Sequence, residues 1–268
     1  MNTISSNKKP YLKFFLLVYA LAIPFWLIGD VAEHFSIEFP FNLPISALMF
    51  VVPITAALIL VYRQDKLEGV RKLLIECFDY KKVKKKIWFL PSIFLMPILM
   101  VISYWVMLLI GLPLPKPQIP FITFPILFVV YFLAAVCEEA GWMGYAFDPM
   151  LARWSALKSS LVLGSVGAIL HVIPFIQAHR SLTWILWQCF FTIFLRVIFV
   201  WLYQNTNKSL LPVILFHTMY NVSYSLFPNN GSHYDPAIFG LLTFVLAVIV
   251  TLFWGPKTLT RGESISCS

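Results

Sequence analysis

Charge is scarce in this chain of 268 residues. Only 12% of them are charged, where an ordinary soluble domain has about 25%, and 60% are hydrophobic. That excludes a soluble globular protein. With a mean hydropathy of +0.82, the chain reads as a polytopic membrane protein. Cysteine is also sparse. Cys77, Cys137, Cys189 and Cys267 share no paired spacing, which excludes a disulfide framework and a zinc motif. Cys267, second from the end, does not form a C-terminal prenylation box. Repeats and low-complexity segments are absent, and no second domain is marked. Residues 1–268 are therefore expected to form a single integral membrane domain. The net charge of +8 does not point to nucleic acid, because the basic residues cluster between apolar runs.

Those runs number eight, at about residues 14–29, 45–62, 87–110, 121–146, 158–176, 182–204, 209–227 and 237–255. Lys8, Lys9 and Lys13 precede the first, as in a signal peptide, but no convincing cleavage site follows, so it is expected to stay as an anchor. The one long polar stretch is 63–86. Its Val70, Leu73, Leu74 and Cys77 share a helical stripe, which predicts an amphipathic helix on the membrane surface followed by a basic anchor. If the N-terminus is cytoplasmic and eight spans alternate, 17 of the 20 basic residues fall inside. Only Lys116 and Arg180 fall outside, where the first loop carries Asp30, Glu33 and Glu38; Arg196 lies within a span. The expected protein is thus a multi-pass protein of the cell membrane with both termini cytoplasmic.

Ionisable groups inside spans cost about 2.5–3.5 kcal/mol each on insertion scales, so the few present stand out. They are Glu138, Glu139, His171, Arg196 and His217, with Asn221 as a strong hydrogen-bonding neighbour. At 1.5 Å per residue all fall on the order of 12–20 Å below the cytoplasmic surface, so four helices bring their polar groups to one layer. His217 and Asn221 are four apart and share a face, which Tyr224 extends. Glu139 is rotated about 100° from Glu138, so the two carboxylates need not share a task. A buried carboxylate near a histidine holds and deprotonates a water, and a His–Asn pair donates to a developing oxyanion. The layer therefore fits hydrolysis. A plain structural role for each single group, as interhelical glue, competes with this. Cys137 is a weaker candidate nucleophile, since it faces away from Glu138 on the helix.

The residues resemble the CAAX proteases and bacteriocin-processing enzymes, the CPBP or Abi intramembrane peptidases. That family's EExxxR motif, often EExGWRGY, is matched by Glu138-Glu139-Ala140-Gly141-Trp142-Met143-Gly144-Tyr145. A histidine late in the next span is His171, and HxxxN is His217-Thr218-Met219-Tyr220-Asn221. These motifs occupy about residues 130–225. The resemblance implies an all-α fold of about eight transmembrane helices around a polar cavity open toward the cytoplasm. It implies an intramembrane endopeptidase that cleaves a membrane-associated protein or peptide with a glutamate-activated water. Glu138 would be the base, His171 would hold the water, and His217 with Asn221 would form the oxyanion site. No cofactor is expected. Zinc is conceivable but not favoured, since no HExxH-type pair is present. The expected partners are that substrate and the lipid bilayer.

One position departs from the pattern. Met143 stands where the motif has arginine. Glu139 is left either to be protonated or to borrow Arg196 or Arg153. The departure motivates an alternative, a catalytically inactive member that binds or regulates. Buried Glu and His alone motivate a further one, a proton-coupled transporter, although no inverted internal repeat supports it.

Overall fold

Eight long helices make up the computed structural model, which describes residues 9–35 and 45–261. They are α1 (Pro10–His34), α2 (Val52–Glu76), α3 (Phe89–Leu109), α4 (Phe124–Gly141), α5 (Ala156–Leu170), α6 (Leu182–Asn205), α7 (Leu210–Leu226) and α8 (Pro236–Trp254). A 3₁₀ turn, Ile45–Val51, leads into α2. A π-helical turn, Trp142–Phe147, prolongs α4 into Asp148–Leu151, and Val172–Gln177 prolongs α5 beyond His171. There is no strand among the described residues. The all-helical architecture expected from the eight apolar runs is therefore borne out. Lys8, Glu38 and Cys267 lie outside the described residues.

Seven of the helical segments are long and apolar enough to cross a membrane. The exception, α7, has 17 residues and no exposed side chain. It lies inside the bundle, chiefly against α3 and α4, while α6 packs between α5 and α8. Side chains such as Leu16, Leu109, Ile122, Leu186 and Leu252 are exposed on the bundle's outer face, as a lipid-facing surface requires. Local chemistry sets the helix starts. Ser155 and Ser181 accept from the backbone N–H three residues on, and Asp235 accepts from Ala237 and Ile238.

Close approach of backbones fixes two of the helix pairs that matter for the site. A Cβ on Gly141 would fall 2.5 Å from the carbonyl oxygen of Pro53, so α4 meets α2 there. A Cβ on Gly164 would fall 2.8 Å from the Ile193 carbonyl oxygen and 3.1 Å from Cβ of Arg196, so α5 presses on α6 beside that arginine.

The helices alternate, which gives the bundle two distinct ends. At one, Asn207 donates to the Lys82 carbonyl, Ser209 to that of Asp79, Asn205 to that of Leu259, and the Ala156 N–H to that of Lys257. Lys208 pairs with Asp148 at 3.0 Å there. This end carries the basic loops. At the other, the Gln118 N–H donates to the Pro228 carbonyl, and Gln177 donates to that of Trp26.

In the polar segment 63–86 the chain breaks at Lys66, whose φ is 56°, and residues 67–76 form a second helical stretch beyond the break. Leu73 and Cys77 are buried, Val70 is half-buried, and Leu74 is exposed, so the inward stripe loses one member. Apolar surface under the bundle takes up Leu73 and Cys77. Lys81, Lys84, Lys85 and Lys86 stay exposed, as an anchor needs.

Candidate active site

The two adjacent glutamates leave α4 in different directions. Glu139 is fully buried. Its Oε2 accepts from Nη1 of Arg196 on α6 at 2.7 Å, and its Oε1 takes Nδ1–H of His217 on α7 at 3.0 Å. Both oxygens meet N–H donors, which suits a carboxylate. The guanidinium lies over the Phe199 ring at 4.5 Å, and the same ring packs edge-on to His217. Of the alternatives for Glu139, the structure therefore selects Arg196. Met143, at the motif-arginine position, is wholly buried in the hydrophobic core with Trp142, Phe147 and Met150.

Glu138 instead lines a cavity of about 300 Å³, with His171, His217, Asn221 and Arg196 on its walls. The structure thus brings all four sequence-predicted catalytic residues to one space. His171 sits where α5 ends, and its Nδ1 donates to the Gly167 carbonyl at 2.8 Å. A carbonyl only accepts, so Nδ1 carries the hydrogen, and Nε2 is the nitrogen left for another partner. His217 is likewise held at Nδ1, by Glu139. A Cβ on Gly167 would meet nothing within 4 Å, so this glycine is open to the cavity it lines. Cys137 is half-buried and does not line the cavity.

Several lining residues escaped the sequence reading. Gln188 donates to the Tyr220 hydroxyl at 3.2 Å and accepts from that of Tyr234 at 2.8 Å. Gln188, Thr192 and Arg196 recur every fourth residue on α6 and all face the cavity. That spacing was a usable signal, hidden because Gln and Thr do not stand out as ionisable groups do.

From the polar layer the lining continues through Gln188 and Tyr224 to Ala178, Arg180 and Trp184. The basic end is closed by packing. Trp142, Phe147, Met150 and Leu210 are buried there, and a Cβ on Gly144 would fall 3.0 Å from Leu73 and 3.1 Å from Leu210. Among the described residues no group of three or more His, Cys, Asp or Glu side chains forms a metal-binding cluster.

Residues 120–223 match the family described as Type II CAAX prenyl endopeptidase Rce1-like. A protein of Methanococcus maripaludis named CAAX prenyl protease 2 is 26% identical over 239 residues, spanning 83% of this chain and 87% of that protein. Over that segment the chain is similar to the Rce1-like CAAX endopeptidase family. The resemblance read from residues 138–145, 171 and 217–221 is thereby borne out, and the matched segment contains each of these. It also contains Arg196, the cation that meets the second motif glutamate.

Proposed function

We propose that this protein is an intramembrane endopeptidase acting on a membrane-associated peptide or protein. The observation that carries the reading is the convergence of Glu138, His171, His217 and Asn221 on one cavity, with Glu139 separately neutralised by Arg196. Glu138 takes a proton from a water as the water oxygen attacks the peptide carbonyl carbon, and passes it to the leaving amine as the C–N bond breaks. His171 presents the Nε2 lone pair to the same water. Asn221 donates its amide N–H to the developing oxyanion, and His217 does so from Nε2 as an imidazolium. Glu139 is a positioning residue, since it holds the His217 ring by Nδ1.

The asymmetry of basic residues between the loops supports cytoplasmic termini. A silent binding protein was motivated by Met143. The Arg196–Glu139 pair supports the peptidase reading over that one, since the second glutamate meets a cation.

The test is cleavage of a membrane-anchored peptide panel by purified protein. Glu138→Gln and Glu138→Ala are expected to lower the rate by about 10²–10⁴-fold with the protein still folded, as loss of a general base does. Unchanged cleavage in both variants would remove Glu138 as the base. No cleavage by the wild type of any peptide on the panel would favour the binding reading.

A further inference from the structure

Glu139 takes up only part of the hydrogen-bonding capacity of Arg196. A guanidinium carries several N–H donors in a rigid fork. Among the described residues Arg196 makes one hydrogen bond, from Nη1 to Glu139 at 2.7 Å. Buried polar side-chain atoms without a partner occur there at Trp26, Ser46, Ser159, Gln177 and Trp201, and Arg196 adds none. Its unpaired nitrogens therefore keep open surface, and the space that the residue lines is the cavity of Glu138. The same carboxylate sets these donors beside His217, because Glu139 takes Nη1–H of Arg196 on one oxygen and Nδ1–H of His217 on the other. Phe199 supports both, with its ring centre 4.5 Å from the guanidinium and 5.4 Å from the imidazole.

Charge balance decides what kind of group these donors meet. In the polar layer Glu138 and Glu139 are matched by Arg196 and the His217 imidazolium. A permanent substrate carboxylate would add an uncompensated charge in a place of low dielectric. An oxyanion adds none. As the water oxygen bonds to the carbonyl carbon, its proton passes to Glu138 and the C=O π pair moves to the carbonyl oxygen. Negative charge leaves Glu138 and arises on that oxygen, and the total is unchanged.

We propose that Arg196 is a further catalytic residue, donating a free guanidinium N–H to the oxyanion beside His217 and Asn221. The assignment rests on the peptidase reading. It gives Arg196 a task that an arginine at position 143 does not share. Met143 is wholly buried and off the cavity wall, so a guanidinium there meets Glu139 but not the oxyanion.

Two variants of the full chain test this. Arg196→Lys keeps a cation for Glu139 but not the fork. Arg196→Met combined with Met143→Arg returns a guanidinium to Glu139 from α4. Both are assayed on a membrane-anchored peptide that the wild type cleaves, with unfolding midpoints to count folded molecules. In each, kcat is expected to stay about 10²–10³-fold below wild type, the loss for one oxyanion donor, with KM unchanged, as for an interaction made only in the transition state. A phosphinic analogue of the same peptide, whose tetrahedral anion stands in for the oxyanion, is expected to lose affinity by the same factor. Wild-type kcat in either folded variant overturns the assignment and leaves Arg196 as the counter-ion of Glu139 alone. A raised KM with kcat retained, abolished by amidating the peptide's C-terminus, overturns it in favour of a substrate carboxylate. No cleavage by the wild type overturns the peptidase reading and this assignment with it. Cleavage by the wild type that both variants match overturns the assignment alone.

Discussion

Arg196 is the residue on which the site's integrity turns. A motif arginine at position 143 would sit four residues after Glu139, on the same helical face. Here that face carries Met143, packed in the core, and the guanidinium arrives from α6 across the bundle at 2.7 Å. Removing one partner of a buried ion pair costs about 3–5 kcal/mol, because the other charge is left uncompensated. Arg196→Met is therefore expected to lower stability by that order and to release the His217 ring from its fixed position. Adding Met143→Arg to it restores a cation next to Glu139. Cleavage per folded molecule should fall in the single variant and recover in part in the double variant. Unfolding midpoints measured on both separate a lost fold from a lost site. If the double variant stays as inactive as the single one while its stability returns, Arg196 does more than balance charge.

At the scale of helices, two glycines near the site make opposite predictions. A methyl on Gly141 runs into the Pro53 backbone at 2.5 Å, where only a shift of α2 from α4 makes room. Gly141→Ala should destabilise by about 1–3 kcal/mol, as overpacking does. A methyl on Gly167 meets nothing within 4 Å and leaves in place the carbonyl that holds His171. Gly167→Ala should keep or slightly raise stability, by up to about 1 kcal/mol from helix propensity, while it raises KM by taking volume from the cavity. A thermal melt with a Michaelis curve on each variant checks the pair; a destabilised Gly167→Ala with unaltered KM would contradict it. The helices themselves were legible in the sequence, because an apolar run near 20 residues has few alternatives in a bilayer. The break at Lys66 was not. Nothing in RQDKLEG marks a left-handed residue, and the segment's final place depends on apolar surface contributed by Gly144 and Leu210 from other helices.

For the whole molecule, the sequence shows a polar layer but not which way the space beside it faces. Depth along each helix is a count of residues, so Glu138, His171, Arg196 and His217 fall together on paper as they do in space. Opening is a property of many small contacts. It depends on which end is filled by side chains such as Leu73, Phe147 and Leu259, and these look alike in a sequence this apolar. In the segment beyond Lys66, Leu73 packs against Gly144 and Leu210. Leu73 is nearly buried, and its truncation removes apolar contact without touching Glu138, His171, His217 or Asn221. Leu73→Ala should cost about 2–5 kcal/mol, the range for a buried leucine. It should leave turnover per folded molecule unchanged, because Leu73 lines no part of the cavity. A denaturation series paired with a single-turnover cleavage assay on folded protein tests both halves. A rate that rises in Leu73→Ala would show that residues 67–77 gate the site.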